Sequence, residues 1–250
     1  MSTVQSIERA FGIMRVLAVG PAGVTELAGQ VSLPKSTVAR LLATLEGVGA
    51  VERTEGGQYR IGPTMWELSG HIDALAGLVV GVRPHLELLT ERHHEASGFS
   101  VPDGYSVRYL TQVESPNPVQ VRDYSGLVLP MHVGPAGLVM MAQWPQQEVA
   151  HYLARPLVAF TASTITDPAQ IEKRLGQIRT DGYAWVHEEY AEGISSVAAP
   201  VFDSTGAIRG AIHMHGPTYR FPQPGTTEAI GADVARAADV FSERMAAPIR

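Results

Sequence analysis

The stretch VTELAGQVSLPKSTVARLLATLEGVGAVERTEGGQYRIGP (residues 24–63) decides how the first third of the chain folds. Leu27 and Ala28 mark the inward face of a short helix over 26–31, which Thr25 is placed to cap. Ser32 and Leu33 form a turn, and Pro34 stands in the first turn of a further helix, where proline is tolerated. That helix, 34–47, carries a stripe of Val38, Leu41, Leu42 and Leu45. Lys35, Ser36, Thr37 and Arg40 lie off the stripe near its N-terminal end. Short hydroxyl side chains and cations in that place suit phosphates and base edges in a major groove. VERT (51–54) and QYRI (58–61) flank a Glu-Gly-Gly turn, the pattern of a β-hairpin. Upstream, Ile7, Ala10, Phe11, Met14 and Leu17 recur at helical spacing after Ser6, a candidate N-cap. Helix, short helix, turn, exposed helix and hairpin is the order of a winged helix-turn-helix. The same order also fits a small-molecule-sensing protein-interaction module, in which the Lys35–Arg40 face is merely solvated.

Composition sets the frame. The chain has 250 residues, 45% hydrophobic and 18% charged, a globular balance with room for one large domain or two ordinary ones. It has no cysteine, which excludes disulfides, thiolate nucleophiles and Cys-ligated metal sites. MSTVQSIERAFG does not read as a signal peptide, and no apolar run reaches the ~20 residues of a membrane span. A soluble, cytoplasmic protein without a membrane partner is expected. The net charge of −6 is unevenly spread. Arg9, Arg15, Lys35, Arg40, Arg53 and Arg60 balance the acidic residues of the first 70 positions, and the remainder carries the whole excess. The N-terminal third is thus the part that tolerates a polyanion.

Pro63 and Thr64 open a connector whose Met65, Leu68, Ile72, Leu75 and Val79 form a short seam of the kind that pairs helices. A boundary near residue 76 follows. A helix is expected from Pro84 to Ala96, then strands at 105–113, 118–122 and 124–130. Further helices are expected at 135–143 and 147–153, with another opened by Asp167-Pro168. Strands at 183–187, 196–202 and 207–215 precede a closing helix over 227–245. Strands and helices mix without βαβ alternation, which points to an α+β domain with a largely antiparallel sheet.

In GAIHMHGP (210–217), Ile212 and Met214 point to one sheet face, and Ala211, His213 and His215 to the other. Two imidazoles two residues apart can bind a polar ligand. With His132 or His187 they could also chelate a metal, but satisfied pocket histidines are commoner, and no metal or other cofactor is expected. Enzyme motifs are missing: no G-x-S-x-G elbow, no P-loop and no H-E-x-x-H. No catalytic residue is assigned.

Residues 24–63, and LPKSTVARLLATLE (33–46) above all, resemble the winged helix-turn-helix of IclR-family bacterial transcription regulators. QVESPNPVQVRDYSGLVLPMH (112–132) and LGQIRTDGYAWVHEEYAEGISSVAAPVFDSTGAIRGAIHMHGPTYR (175–220) resemble the GAF-like effector-binding domain of that family. The resemblance implies an α+β chain in three parts. Residues 1–63 would bind DNA, 64–82 would form a connecting helix, and 83–250 would bind an effector and oligomerise. It implies that Lys35, Ser36, Thr37 and Arg40 meet DNA, with Thr25 near a phosphate and Gln58 and Arg60 on the wing. It places the effector against Pro135, Ala136, Val186, Ser196, His213 and His215. The bulky histidines, Val186 and Pro135 depart from the family's small, polar positions, and suggest a larger effector that is partly aromatic, and anionic or amide-like. Phe99, Tyr109, Met131, Met140 and Trp185 are candidate walls. The implied partners are a palindromic double-stranded operator, a small organic effector, and further copies of the chain as a homodimer or dimer of dimers.

Overall fold

The computed structural model describes residues 4–70 and 74–246. The chain divides into two compact units, one ending at Ala76 and the other starting at Gly77.

The first unit contains α1 (Gln5–Val19), α2 (Val24–Gln30), α3 (Lys35–Gly47), β1 (Val51–Arg53), β2 (Tyr59–Ile61) and α4 (Pro63–Gly70). Ile13 and Leu17 of α1, Leu27 of α2, Val38 and Leu42 of α3, and Val51 and Tyr59 of the hairpin form its core. The hairpin is antiparallel, with Glu52 opposite Arg60. Ala22 and Tyr59 exchange backbone hydrogen bonds at 3.0 and 2.9 Å, pinning the α1–α2 turn to the wing. Neither expected cap forms. Val4 stands at the N-cap of α1 and Gly23 at that of α2, both without a side-chain bond, so Thr25 lies inside the first turn. The apolar row of α1 is only half used: Met14 and Leu17 are buried, whereas Ile7 and Phe11 are exposed.

α5 (Ala74–His93) follows. The seam residue Ile72 lies outside the described residues, and Leu68 and Leu75 are exposed. No helix starts at Pro84, which is inside α5. Proline there loses the bond to the Val80 carbonyl, but that turn faces solvent, Val80 being 74% exposed, and the helix continues.

The second unit is built on β3 (Ala96–Asp103), β4 (Ser106–Val113), β5 (Val128–Pro130), β6 (Ala184–His187), β7 (Ile194–Phe202) and β8 (Ile208–Pro217). They form one sheet in the order β5-β4-β3-β8-β7-β6, every neighbouring pair antiparallel. One face packs on α6 (Pro135–Met141), α7 (Gln146–Leu153) and α8 (Pro168–Asp181). The other packs on α5 and α9 (Thr227–Ala246). β3, the central strand, was not expected. Its Ala-Ser-Gly-Phe-Ser-Val-Pro run is poor in strand formers, and with both faces buried it shows no polar alternation. The expected strand at 118–122 is irregular chain.

α8 is closed at both ends. Asp167 accepts from the Gln170 amide at 2.8 Å, and Gly182 takes the left-handed conformation at the C-terminal end. Asp167→Ala is expected to cost about 1 kcal/mol. Gly176, exposed in the middle of α8 with no neighbour near its missing Cβ, is expected to give roughly 0.5–1 kcal/mol of added stability on mutation to Ala. Urea denaturation of both variants checks the pair, and equal midpoints would contradict the capping account.

Candidate functional site

Two sites emerge, one in each unit. In the first, Lys35, Ser36 and Arg40 are exposed and Thr37 half-buried on α3, opposite the buried Val38, Leu42 and Leu45. No ion pair engages Lys35 or Arg40 among the described residues. Thr25 and Gln58 are also exposed. Arg60 is less available, since its Nε donates to Glu52 at 2.7 Å across the hairpin. It borders a surface groove with Phe11, Met14 and Arg15 of α1. Arg53, which the sequence reading passed over, is exposed on β1 with its guanidinium 5.1 Å from the Tyr59 ring centre.

The second site is a cavity between the sheet and its α6 side. β5, β4, β8, β7 and β6 contribute Leu129, Tyr109, His213, His215, Ile194, Ser196 and Val186. Gly134 and Pro135, at the start of α6, close one end, and Tyr124, Tyr190 and Ala191 cover it from loops. Val186, Ser196 and His215 are register partners in a row across three strands. Strand pairing thus gathers residues far apart in sequence. The free space is about 20 Å³, room for one water molecule.

Of the six residues expected at an effector, Pro135, Val186, Ser196, His213 and His215 border this cavity. Ala136 does not: it is fully buried in the core behind Pro135, on the inward side of the first turn of α6. Among the expected walls only Tyr109 lines it. Phe99 and Trp185 point to the opposite sheet face, and Met131 and Met140 fill the core under α6. Sequence reasoning missed Tyr124 and Tyr190: Tyr124 was expected to open a strand over 124–130, which forms only at Val128–Pro130, and both tyrosines lie on irregular chain where no periodicity marks a side chain's direction.

The rings interlock. His213 lies 4.9 Å from Tyr109 and His215 5.0 Å from Tyr124, centre to centre, and the two imidazoles are 5.8 Å apart. Tyr124 meets Tyr190 at 5.7 Å. His213 is seated over Gly98, its register partner on β3, where a Cβ would overlap the imidazole and the Thr111 carbonyl. Similarly, Gly137 lets α6 approach the Met131 backbone, where no Cβ would fit. Among the described residues, neither Nε2, of His213 or of His215, has a hydrogen-bond partner. Burial holds both imidazoles neutral, His215 down to about 4 and His213 well below its usual value with the repulsion of His215 added. Burial likewise pushes the Tyr109 and Tyr124 phenols up, so they stay protonated.

His132 and His187 do not join the pair. His132 Nδ1 bonds the Tyr152 hydroxyl at 2.7 Å and Nε2 meets the Val158 carbonyl at 3.0 Å, while His187 bonds Ser195 and stacks on Trp185. Among the described residues no group of three or more His, Cys, Asp or Glu is placed to hold a metal.

Comparison with known proteins agrees in both halves. Residues 6–55 match the IclR helix-turn-helix domain, and 75–243 match the bacterial transcriptional regulator IclR C-terminal domain. The chain belongs to the IclR family. It is 32% identical to the transcriptional repressor IclR of Escherichia coli K12 over 241 residues, 94% of this chain and 88% of that protein. It is 31% identical to the HTH-type transcriptional regulator BhcR of Paracoccus denitrificans over 220 residues, 87% of this chain and 79% of that one. The solved structure of Thermotoga maritima IclR shares the fold, with a TM-score of 0.64 at 23% identity over 98% of this chain and all of that one. The protein is an IclR-type DNA-binding transcription regulator with an effector-binding C-terminal domain.

Two outcomes follow from the cavity. Gly98→Ala displaces the His213 ring and is expected to cost roughly 1–3 kcal/mol, read by chemical denaturation. On unfolding, His215 returns from about 4 to its ordinary 6.5 and takes up a proton that the native state refuses. Its contribution is therefore full above about pH 6.5 and is lost as the pH falls toward 4, on the order of 3 kcal/mol in total. His215→Gln is expected to flatten the fall in urea midpoint between pH 7 and 4.5. An unchanged pH profile in that variant would refute the buried, neutral state.

Proposed function

We propose that α3 reads operator DNA through Lys35, Ser36, Thr37 and Arg40, with Thr25 near a backbone phosphate and Gln58 and Arg60 on the wing. The observation that carries this reading is the solvent-facing pair Lys35 and Arg40, neither in an ion pair, with two hydroxyls between them at the start of a helix whose other face is core. Cations left uncommitted on a folded surface are what a phosphate backbone rewards. Arg60 contributes less than Lys35 or Arg40, because Glu52 already neutralises it.

The reading continues in the second unit. The ligand binds against Pro135, Val186, Ser196, His213 and His215, with Tyr109, Tyr124 and Tyr190 as further contacts. Its occupancy changes operator affinity, a coupling that is typically ~1–3 kcal/mol between two sites. The chain acts as a homodimer or a dimer of dimers on a palindromic operator. The exposed apolar row Val4, Ile7 and Phe11 on α1 supports pairing of N-terminal units, since such a row in water favours a partner. The protein performs regulation and no catalysis, and it works in the cytoplasm. Among the described residues, no helix is long and apolar enough to cross a membrane.

Fluorescence anisotropy with the DNA upstream of its own gene, against a scrambled duplex, tests the reading. Lys35→Ala and Arg40→Ala are each expected to weaken operator binding by about 1–3 kcal/mol. Where the lost contact is to phosphate, the salt slope should fall by about one. Both side chains are exposed, so stability and ligand binding should hold. Retention of full operator affinity by the double variant would overturn the assignment of α3.

A further inference from the structure

The cavity wall contains no charged side chain. Its twelve residues include three tyrosines, two histidines and a serine, but no Lys, Arg, Asp or Glu. The nearby charges lie outside the wall. The Arg122 guanidinium lies 5.7 Å from the Tyr124 ring centre and donates to the Tyr190 hydroxyl at 3.4 Å. Asp123 Oδ1 accepts from the backbone amide and hydroxyl of Ser125 at 2.8 and 2.7 Å. Pro135, first in α6, has no N–H to offer an anion. A carboxylate moved into this space would lose its water and meet no cation in the wall itself, which is costly.

The wall is instead equipped for neutral hydrogen bonding. His213 and His215 are each 2% exposed, and the Nε2 of each has no partner among the described residues. A neutral imidazole carries one donor and one acceptor, and a phenol hydroxyl can act as either. Facing His213 are Tyr109 and Gly98; facing His215 are Tyr124 and Ser196, with Asp123 beyond them. The flat tyrosine faces favour a planar molecule.

We infer that the ligand of this cavity is uncharged when bound: a planar amide, phenol or similar neutral hydrogen-bonding molecule enters as it is, and a carboxylic acid enters only together with a proton. The inference rests on the reading of this cavity as the effector site and names the chemical class it takes. For an acid, one carboxylate and one proton from solvent enter, and the proton resides on the carboxyl group.

The test is titration calorimetry on the full chain with near-isosteric pairs in which an amide NH2 replaces the charged carboxylate oxygen: benzoate and benzamide, 4-hydroxybenzoate and 4-hydroxybenzamide, pyruvate and pyruvamide. Each is run from pH 5.5 to 8.5 in buffers of different ionisation enthalpy. At least one amide is expected to bind with an affinity flat above pH 6.5 and no proton exchange. Its acid is expected to take up close to one proton and to weaken about tenfold per pH unit. His215→Gln, which keeps the wall neutral but removes an imidazole, should weaken the amide several-fold while the fold is retained by circular dichroism. An acid that binds with constant affinity and no proton uptake, or a panel in which no amide binds, overturns the inference. Operator affinity measured with the same compounds separates the two readings. Amides that bind as expected yet leave operator affinity unchanged would uphold the ligand class and overturn the effector role.

Discussion

β8 pairs with β3 on one side and β7 on the other, in a sheet buried on both faces, and the C-terminal unit depends on that arrangement. Burial on both sides means that each residue of β8 must satisfy a different environment from its neighbour. Ile212 and Met214 join the α5 and α9 core, while His213 and His215 turn to the α6 side. The register fixes their company. His215 faces Ser196, which faces Val186, and His213 faces Gly98. A slip of one residue would drive both imidazoles into the apolar α9 interface, where they would have no polar neighbour.

The two functional surfaces follow opposite electrostatic rules. On α3, Lys35 and Arg40 stay in water. In the cavity, burial suppresses charge, so two histidines and at least two tyrosines stand neutral. The acidic excess of the chain lies outside the cavity wall, although it falls in the same two-thirds of the sequence. On the proposed reading, a polyanion and a small hydrogen-bonding ligand are recognised by different physics within one polypeptide.

Much of this was legible from local pattern. The stripe Val38, Leu42 and Leu45 set the face of α3, the Gly-Gly turn set the wing, and Asp167-Pro168 set the start of α8, each because a short-range rule governs it. Alternation along 211–215 correctly separated the histidine face from the Ile212 and Met214 face. The failures share a cause. β3 is strand because its neighbours supply partners on both sides, against its own composition. Phe99 and Trp185 are large and apolar, but size does not tell which face of a sheet a side chain serves. Thr25 and Ser6 are good capping residues, yet each stands second in its helix, with Gly23 and Val4 at the caps.

The sequence by itself determined the order of elements in the N-terminal unit, the exposed cations of α3, the absence of thiol chemistry and the pairing of His213 with His215 on one face. Those rest on spacing and residue type, which are local. Only the tertiary structure decided that Tyr124 and Tyr190 cover the cavity, that Gly98 makes the seat for His213, and that no charge lines the wall. Each depends on residues brought together from strands and loops far apart in the chain, and no local period records such meetings.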